Sequence, residues 1–410
     1  MKILRIAATM TRYRSTLTMV TFLLTGWAWH TRGSGITAGL VLAAVALAAT
    51  YASMTSLNDL ADERIDRVNL RGHSDRPLVA ATATRRDLAL VAAGAGVAGA
   101  AAGLLASPLV GALVLVSVLL YAQYSLPPLR ISHRPLLTPP YLAIGYAVLP
   151  YLIGVCVAGD RPGPRDALLL PALFSLFLSR IVLKDFRDRQ GDALTGKPTF
   201  LLRYGKRATC TFSVAALTAG WALLLMALRD VPLIAAGTLP AVSALGLLQL
   251  RLLRARTLID EVMAIGMMAR TANGLLLTLL GLLLLQWQGA GGAAMVALYG
   301  IAAGAYGYLL VAYWRNPTSF TFGSRLIDEG YRTEGARPSE EDRPPLPSVR
   351  YPEPEGYRTE GEGPSEEGRP PLPSVRYPEP EGHRTEGEGP SEEGRPPLPS
   401  VRYPEPEAMP

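Results

Sequence analysis

The chain has 410 residues, of which 49% are hydrophobic, and a formal net charge of +6 at pH 7. Apolar stretches of about 15–25 residues recur between short charged loops, which is typical of a polytopic helical membrane protein. Its two cysteines, Cys156 and Cys210, exclude a disulfide framework and a cysteine-based metal site.

The apolar stretches predict an all-α fold, a bundle of nine or ten transmembrane helices between residues 1 and 315. Glycine and alanine are abundant in these stretches, so the helices can approach one another closely within a bilayer. The first stretch lacks a small-x-small cleavage site, and we therefore expect a membrane helix there and not a signal peptide. The predicted spans are residues 16–30, 35–57, 88–105, 108–125, 138–158, 166–183, 209–228, 232–250, 262–286 and 291–313.

The first of two acidic motifs, residues 58–66, stands at the end of the second predicted span. If the helix continues through it, Asn58, Asp62 and Asp66 lie four residues apart on one face, with Asp59 beside them. Carboxylates placed in this way repel one another, so the motif requires a counter-ion. Clustered oxygen donors suit Mg²⁺, especially Mg²⁺ that arrives on a substrate phosphate.

The second acidic motif, residues 184–192, follows the sixth predicted span and carries Asp185, Asp188 and Asp192 on one helical face. Up to Gly323 the chain has 14 acidic residues against 29 basic ones, and seven of the 14 belong to the two motifs. This concentration predicts a single site between the two motifs. The alternative interpretation is two solvated helix ends whose carboxylates pair with neighbouring arginines.

Lysines and arginines concentrate in alternate loops, which predicts that the N-terminus, both acidic motifs and the C-terminal tail face the cytoplasm. Two rigid turns on that side carry an arginine: Arg76 precedes a proline, and Arg130 follows a pair of prolines. We expect some of these arginines to bind phosphate as well as to set the orientation. Arg270 lies within the ninth predicted span, so it is expected to face a polar cavity or a partner.

The last part of the chain, residues 324–410, is rich in proline, glutamate and arginine. It contains three near-identical 26-residue repeats that begin at Glu329, Glu355 and Glu381. Such sequence cannot bury a core, so this tail is predicted to be disordered and separate from a transmembrane domain over residues 1–315. We favour the interpretation that the repeats arose by passive expansion and have no binding function. The alternative is that they are ligands for domains that recognise proline-rich motifs.

Two accessory turns accompany the acidic motifs in a fixed order along the chain. The combination consists of Asn58-Asp59-x-x-Asp62-x-x-x-Asp66, Arg76-Pro77-Leu78, Tyr124-Ser125-x-Pro127-Pro128-x-Arg130 and Asp185-x-x-Asp188-x-x-x-Asp192. Over about residues 10–315 it resembles the UbiA-type intramembrane prenyltransferase superfamily. The resemblance implies transfer of an isoprenyl group from a prenyl diphosphate to an acceptor, with Mg²⁺ held between the two motifs.

The resemblance also implies roles for individual residues. The partners are then the prenyl diphosphate, a small-molecule acceptor and the lipid bilayer, with no nucleic acid. The implied metal ligands are Asn58, Asp59, Asp62, Asp185 and Asp188. The implied catalytic residues are Asp62, Asp66, Asp192 and Tyr124, and the implied diphosphate-binding cations are Arg76, Arg130, Lys184 and Lys197.

The acceptor is predicted to be a small aromatic molecule, because an electron-rich ring captures the carbocation left by ionisation most readily. That cation requires a dry, partly aromatic pocket, for which Tyr121 and Tyr124 are candidates. A terpene cyclase of the same superfamily, which needs no acceptor, is the alternative function. A transporter of divalent cations or phosphate compounds is a further alternative, but its acids would lie near the bilayer midplane and not at span ends on one side.

Overall fold

The protein is described by a computed structural model that covers residues 2–31, 35–69, 76–164 and 166–315. Over these ranges every regular element is a helix, which confirms the predicted all-α fold. The predicted disordered tail, residues 324–410, lies outside the described residues.

The described ranges contain fourteen α-helices. Two 3₁₀ turns, Ile131–His133 and Val182–Lys184, precede α7 and α10, and a π-helical turn, Ile144–Val148, joins α7 to α8. The helices are α1 (Lys2–Met10), α2 (Tyr13–Thr31), α3 (Ala38–Ala61), α4 (Glu63–Asn69), α5 (Arg85–Ala106), α6 (Pro108–Ser125), α7 (Thr138–Ala143), α8 (Leu149–Val157), α9 (Asp166–Ile181), α10 (Asp185–Leu194), α11 (Phe200–Ala227), α12 (Pro232–Arg254), α13 (Leu258–Trp287) and α14 (Gly292–Arg315).

Nine stretches of the described residues are long and apolar enough to cross a membrane. They are α3, α5, α6, the joined pair α7–α8, the stretch Asp166–Arg189, α11, α12, α13 from Asp260, and α14. The first of the ten predicted spans is α2, which forms a 19-residue helix but is not among the nine. Arg14, His30 and five threonines lower its hydropathy below that of the other long helices. The chain is a multi-pass integral membrane protein.

Serine and threonine side chains start several of the long helices. In each case the side-chain oxygen accepts a hydrogen bond from the backbone N–H three residues later, at 3.1–3.3 Å. The first-turn N–H groups of a helix have no partner within it, and an unsatisfied N–H group is costly near a bilayer. These caps therefore fix where the spans begin. The capping residues are Thr37, Thr84, Ser107, Thr199 and Thr257.

Helices α2 and α8 cross closely at two glycines, Gly26 of α2 and Gly154 of α8. A Cβ atom on Gly154 would lie 2.0 Å from the Leu23 carbonyl oxygen, and one on Gly26 would lie 2.2 Å from the Tyr151 carbonyl oxygen. Any larger residue at either position would force the helices apart. Small residues thus permit the close helix approach that the composition predicts.

Candidate active site

The first acidic motif spans the junction between α3 and α4. Asp62 leaves helical geometry (φ −103°, ψ 15°), so the continuous helix expected from the spacing is interrupted at this residue. The four-residue register still continues, because Asp62 N–H donates to the Asn58 carbonyl and Asp66 N–H donates to the Asp62 carbonyl, both at 2.8 Å. The polar side chains of the motif therefore keep the spacing of one helical face.

Two arginines neutralise the outer carboxylates of this motif. Arg76 Nη1 donates to Asp59 Oδ1 and, at 2.9 Å, to Asp66 Oδ2. Arg12, from the turn between α1 and α2, donates from Nη2 to the same Asp59 oxygen at 2.5 Å. Asp59 itself is only 2% exposed. A buried carboxylate is stable only when its charge is paired, and Arg12 and Arg76 both pair with Asp59.

Lys197 joins the two acidic motifs. Its Nζ donates to Asp62 Oδ2 at 2.9 Å and lies 4.0 Å from Asp192 Oδ1. Asn58 Nδ2 donates to the same Asp62 oxygen at 3.0 Å, while Arg130 Nη2 lies 4.0 Å from the other one. Residues 135 positions apart in sequence thus meet at one carboxylate.

The second acidic motif begins α10 after the 3₁₀ turn. Asp185 is buried, and its Oδ1 lies 3.4 Å from Lys184 Nζ. The same ammonium donates to the Tyr124 hydroxyl of α6 at 3.4 Å. Asp188 is partly exposed and pairs with Arg187 Nε at 2.9 Å. Helix α10 packs against α4, so the second motif faces the first.

Burial shifts the pKa values of two carboxyl groups toward neutrality. Burial raises the pKa of Asp66 to about 6, and neighbouring carboxylates of its motif reinforce this effect while Arg76 opposes it. Burial also raises the pKa of Asp192 to about 7, against the influence of Lys197. Both groups are held in an environment where an additional positive charge is favourable.

The donor set of the first motif fits a metal ion that brings ligands of its own. Asp59 Oδ2 and Asp62 Oδ1 are buried and have no hydrogen-bond partner. Buried acceptors without a partner are costly, so these two oxygens mark a place for a cation. Across the described ranges no three acidic or histidine side chains stand close enough to enclose a metal by themselves. The arrangement therefore suits Mg²⁺ that keeps waters and phosphate oxygens as ligands.

A row of aromatic rings lies between α3, α9 and α2. The Tyr51 and Tyr146 hydroxyls share a hydrogen bond of 3.0 Å, and their rings meet edge-on at 5.6 Å. Tyr146 stacks on Phe177 at 5.5 Å, and Phe177 meets Phe22 edge-on at 5.8 Å. Tyr121, a candidate from the sequence for the aromatic pocket, belongs to the same hydrophobic cluster as Tyr51 and Tyr146 and donates to the Gly145 carbonyl of the π-helical turn at 2.8 Å. π-Helical turns within α-helices frequently occur at functional sites.

Three residues of the site were not identified from the sequence: Arg12, Tyr51 and Tyr146. Tyr51 lies seven residues before Asn58, two turns along the same helix, so helical periodicity could have found it. Arg12 reaches Asp59 through a turn and a contact between separate helices. No spacing in the sequence indicates such a contact.

The sequence model of the UbiA prenyltransferase family matches residues 19–269, more than half of the chain. The chain belongs to the UbiA prenyltransferase family. Two relatives are named digeranylgeranylglyceryl phosphate synthase. The one from Methanopyrus kandleri is 30% identical over 230 residues, which are 52% of this chain and 80% of the relative. The one from Methanoculleus marisnigri is 30% identical over 176 residues, which are 43% of this chain and 60% of the relative.

Solved structures share the fold of this UbiA family member. A UbiA homologue from Archaeoglobus fulgidus has a TM-score of 0.51 at 18% identity, with 67% of this chain and 98% of that one covered. A structure described for digeranylgeranylglyceryl phosphate synthase in membranes has a TM-score of 0.53 at 15% identity, with 69% and 99% covered. At these identities the likeness establishes the fold.

Membership of the UbiA family confirms the resemblance found in the sequence motifs. The chain is therefore an enzyme of prenyl transfer, embedded in a membrane through many helices.

Proposed function

We propose that the chain is a Mg²⁺-dependent prenyltransferase whose active site lies between the first acidic motif and α10. The observation that carries the proposal is the position of Lys197, 2.9 Å from Asp62 and 4.0 Å from Asp192. One cation is thus shared by carboxylates of both motifs, and a substrate that carries charge can bridge the same gap.

Four cations are available to bind the diphosphate. Each stands within 4.0 Å of a carboxylate of the motifs, which it neutralises in the free site. When Mg²⁺ is bound it neutralises the charge that leaves with the diphosphate. Asp59 Oδ2 and Asp62 Oδ1, the oxygens that have no partner, would hold it together with Asn58, Asp185 and Asp188. With the carboxylates so occupied, the four cations would donate hydrogen bonds to phosphate oxygens. They are Arg76, Arg130, Lys184 and Lys197.

Transfer begins when the bond between the allylic carbon and the diphosphate oxygen breaks, and its electron pair leaves with the diphosphate. The acceptor then supplies the electron pair of the new bond, and its proton passes to the released diphosphate. The rings of Tyr51, Tyr146 and Phe177 pack together within the bundle, where they exclude water and would stabilise a nearby carbocation. The Tyr124 hydroxyl, which accepts a hydrogen bond from Lys184 at 3.4 Å, adds a polar group beside the second acidic motif.

The acceptor belongs to one of two chemical classes. Capture of a carbocation favours an electron-rich aromatic ring, as predicted from the sequence. The name of the relatives, digeranylgeranylglyceryl phosphate synthase, favours a glyceryl phosphate compound. Both classes supply a nucleophilic atom, an aromatic carbon in one and a hydroxyl oxygen in the other.

Product analysis tests the transferase directly. Membranes that contain the protein are incubated with prenyl diphosphates and each acceptor class, and products are identified by mass spectrometry. We expect a prenylated acceptor that forms only with Mg²⁺ or Mn²⁺. Full turnover in excess chelator would contradict the metal requirement. Efficient formation of a cyclic terpene without acceptor would favour the alternative, a terpene cyclase.

Single substitutions connect the activity to the acidic motifs. Asp59→Ala, Asp62→Ala and Asp188→Ala are each expected to abolish product formation without preventing membrane insertion. Asp230→Asn is the control, because this aspartate is exposed, lies just after the end of α11 and pairs with its neighbour Arg229. Normal rates in all three alanine variants would disprove the proposed site.

A further inference from the structure

Helix α10, which carries the second acidic motif, is too short to fix its own position. It has ten residues, it follows a 3₁₀ turn, and its first turn has no side-chain cap. Isolated helices of fewer than about 12 residues are marginal in water, so contacts with other helices must orient α10. Its rotation about its own axis decides where Asp185, Asp188 and Asp192 point.

One face of α10 packs into the bundle and carries Phe186 and Arg189. Phe186 is fully buried in a hydrophobic cluster that includes Met263 and Met267 of α13. Arg189 follows Phe186 by three residues, so the two side chains share a helical face. This face of α10 therefore turns toward α13, with which the helix is in contact.

Glu261 of α13 is the charged partner of this face. It is only 5% exposed, and its Oε2 lies 3.5 Å from Arg189 Nη1. The same oxygen has no hydrogen-bond partner in the described part of the chain. A buried carboxylate oxygen requires a nearby positive charge, which Arg189 supplies. Arg189 is one helical turn from both Asp185 and Asp192, so the ion pair holds α10 close to the carboxylates of the site.

Glu261 is itself held by α11 and by its own helix. Its Oε1 accepts a hydrogen bond from Lys206 Nζ at 2.9 Å, and the same ammonium donates to the Ala255 carbonyl at 2.5 Å. Glu261 N–H donates to the Thr257 carbonyl at 3.2 Å. Its position in the first turn of α13 suits a negative charge, because the helix dipole is positive there. The carboxylate is thus a fixed point to which Arg189 attaches α10.

The neighbouring acid of the same turn differs from Glu261. Asp260 is partly exposed, lies 3.8 Å from Arg251 of α12 and accepts a hydrogen bond from the Thr257 hydroxyl at 3.0 Å. Of these two acids, Glu261 is the one that pairs with α10 in the described part of the chain. A general need for acidic residues at the start of α13 therefore does not explain the contact.

We propose that Glu261, through its ion pair with Arg189, positions α10 for metal binding, an inference that rests on the proposed Mg²⁺-dependent transfer. The pair sets the rotation of α10 and so the direction in which the three aspartates of the second acidic motif face the first motif. Neither residue touches the metal or the substrate in this role. Without the pair α10 turns more freely, so more Mg²⁺ is needed to fill the site, while the rate at saturating Mg²⁺ is retained.

The Mg²⁺ requirement of transfer tests this role. It is the free Mg²⁺ concentration that gives a half-maximal rate at saturating prenyl diphosphate. Arg189→Met keeps a long side chain without the charge and is expected to raise this concentration about three- to tenfold, as loss of a partly buried ion pair predicts. Arg189→Lys keeps a cation and should give a smaller rise. In both variants kcat at saturating Mg²⁺ should remain near that of the wild-type protein.

Lys206→Met is the matched control. It removes the other cation of Glu261 and leaves the link to α10 in place. The Mg²⁺ requirement should therefore be unchanged in Lys206→Met, even where its thermal unfolding midpoint is lower. An equal rise in the Mg²⁺ requirement of Lys206→Met and Arg189→Met would show that Glu261 only supports the fold, and would overturn the inference.

A double variant shows whether the two residues act through each other. Glu261→Gln, alone or combined with Arg189→Met, should raise the Mg²⁺ requirement by the same factor as Arg189→Met alone, because each change breaks the same link. Factors that multiply in the double variant would overturn the inference. Where Glu261→Gln does not fold, the two Arg189 variants decide the question, since Glu261 keeps its pair with Lys206 in them.

Metal binding without turnover provides a second readout. Mg²⁺ together with inorganic diphosphate is expected to raise the thermal unfolding midpoint in detergent, because a ligand of the folded protein stabilises it. The Mg²⁺ concentration for half of that rise should be about three- to tenfold higher in Arg189→Met than in the wild-type protein, and unchanged in Lys206→Met. Equal concentrations in Arg189→Met and wild type would overturn the positioning role.

The outcomes separate this inference from the proposed function. A wild-type protein without Mg²⁺-dependent turnover would contradict the proposed transferase, and the binding titration with inorganic diphosphate would still decide the role of Glu261. A wild-type protein with Mg²⁺-dependent turnover and the same Mg²⁺ requirement in Arg189→Met would overturn the positioning role and leave the transferase intact.

Discussion

Lys197 is the residue at which the two acidic motifs depend on each other. Lys197 is 8% exposed, and its ammonium binds Asp62 and lies 4.0 Å from Asp192. Burial is the largest single influence on the pKa of Lys197 and acts to lower it, whereas the charge of Asp62 acts to raise it. The net shift of the pKa is upward. The lysine therefore stays charged, and removal of its charge would leave two buried carboxylates facing each other.

Lys197→Met is expected to lower kcat by about 10²- to 10³-fold, because a preorganised cation is lost where charge develops on the leaving diphosphate. Initial rates at saturating prenyl diphosphate, normalised to folded protein, provide the measurement. Lys206→Met is the control, since Lys206 is also ion-paired and partly buried but bonds to Glu261. A normal kcat in Lys197→Met would remove this lysine from the mechanism.

At the scale of helices, the chemistry is located where spans end. α3 ends at Ala61 just before Asp62, and α9 gives way to a 3₁₀ turn just before Asp185. The apolar stretches and the spacing of the acids were sufficient to predict both positions, because hydropathy and helical periodicity are local properties. The local break at Asp62 was not predicted from them.

Contacts between distant helices could not be predicted from the sequence. Periodicity tells which residues share a face of one helix, but it does not tell which helices pack together. Lys197 meets Asp62 across 135 positions, Arg12 meets Asp59 across 47, and Arg180 meets Asn273 across 93. The family resemblance supplied Lys197 as a candidate, whereas neither it nor any spacing supplied Arg12 or Arg180.

Gly154→Ala tests the crossing of α2 and α8. The added methyl group would lie 2.0 Å from a backbone oxygen of Leu23, so the helices must separate, at a cost of about 1–3 kcal/mol or more. We expect a lower thermal unfolding midpoint in detergent. Gly94→Ala on α5 is the control, because open space surrounds that position and alanine favours helix. Equal midpoints for the two variants would contradict the close crossing.

At the scale of the whole molecule, charge divides the chain into two parts. Residues up to 323 carry 29 basic and 14 acidic side chains, a net charge of +15, and the remainder carries 11 and 20, a net charge of −9. The last described helix, α14, ends at Arg315, before the acidic part begins. The active unit is therefore expected to be contained in the basic part.

A chain that ends after Gly323 should retain nearly full expression and turnover, because proline-rich repeats cannot pack onto a membrane bundle. Membrane levels and initial rates of the truncated and full-length proteins provide the comparison. A second truncation before α14 is the contrasting case, since it removes the fully buried Tyr313 and should destabilise the bundle. A large loss of turnover after Gly323 would instead identify the tail as a functional segment.

The orientation of the bundle is tested with single cysteines in a protein that lacks Cys156 and Cys210. Thr195 follows the second acidic motif in a basic loop, and Arg161 lies in the loop before α9; both are exposed. The excess of lysine and arginine predicts that the first loop is cytoplasmic. In intact cells an impermeant thiol reagent should therefore label Arg161→Cys and not Thr195→Cys, with the reverse in inverted vesicles.

The two cysteine positions also test the span that connects them. The stretch Asp166–Arg189 has 24 residues, about 36 Å as a helix, which is enough to cross the hydrocarbon core. The loops at its ends must then lie on opposite sides, whichever side is cytoplasmic. Labelling of Thr195→Cys alone from outside would invert the predicted orientation and place the diphosphate site outside. Labelling of both positions from one side would contradict a membrane-spanning α9.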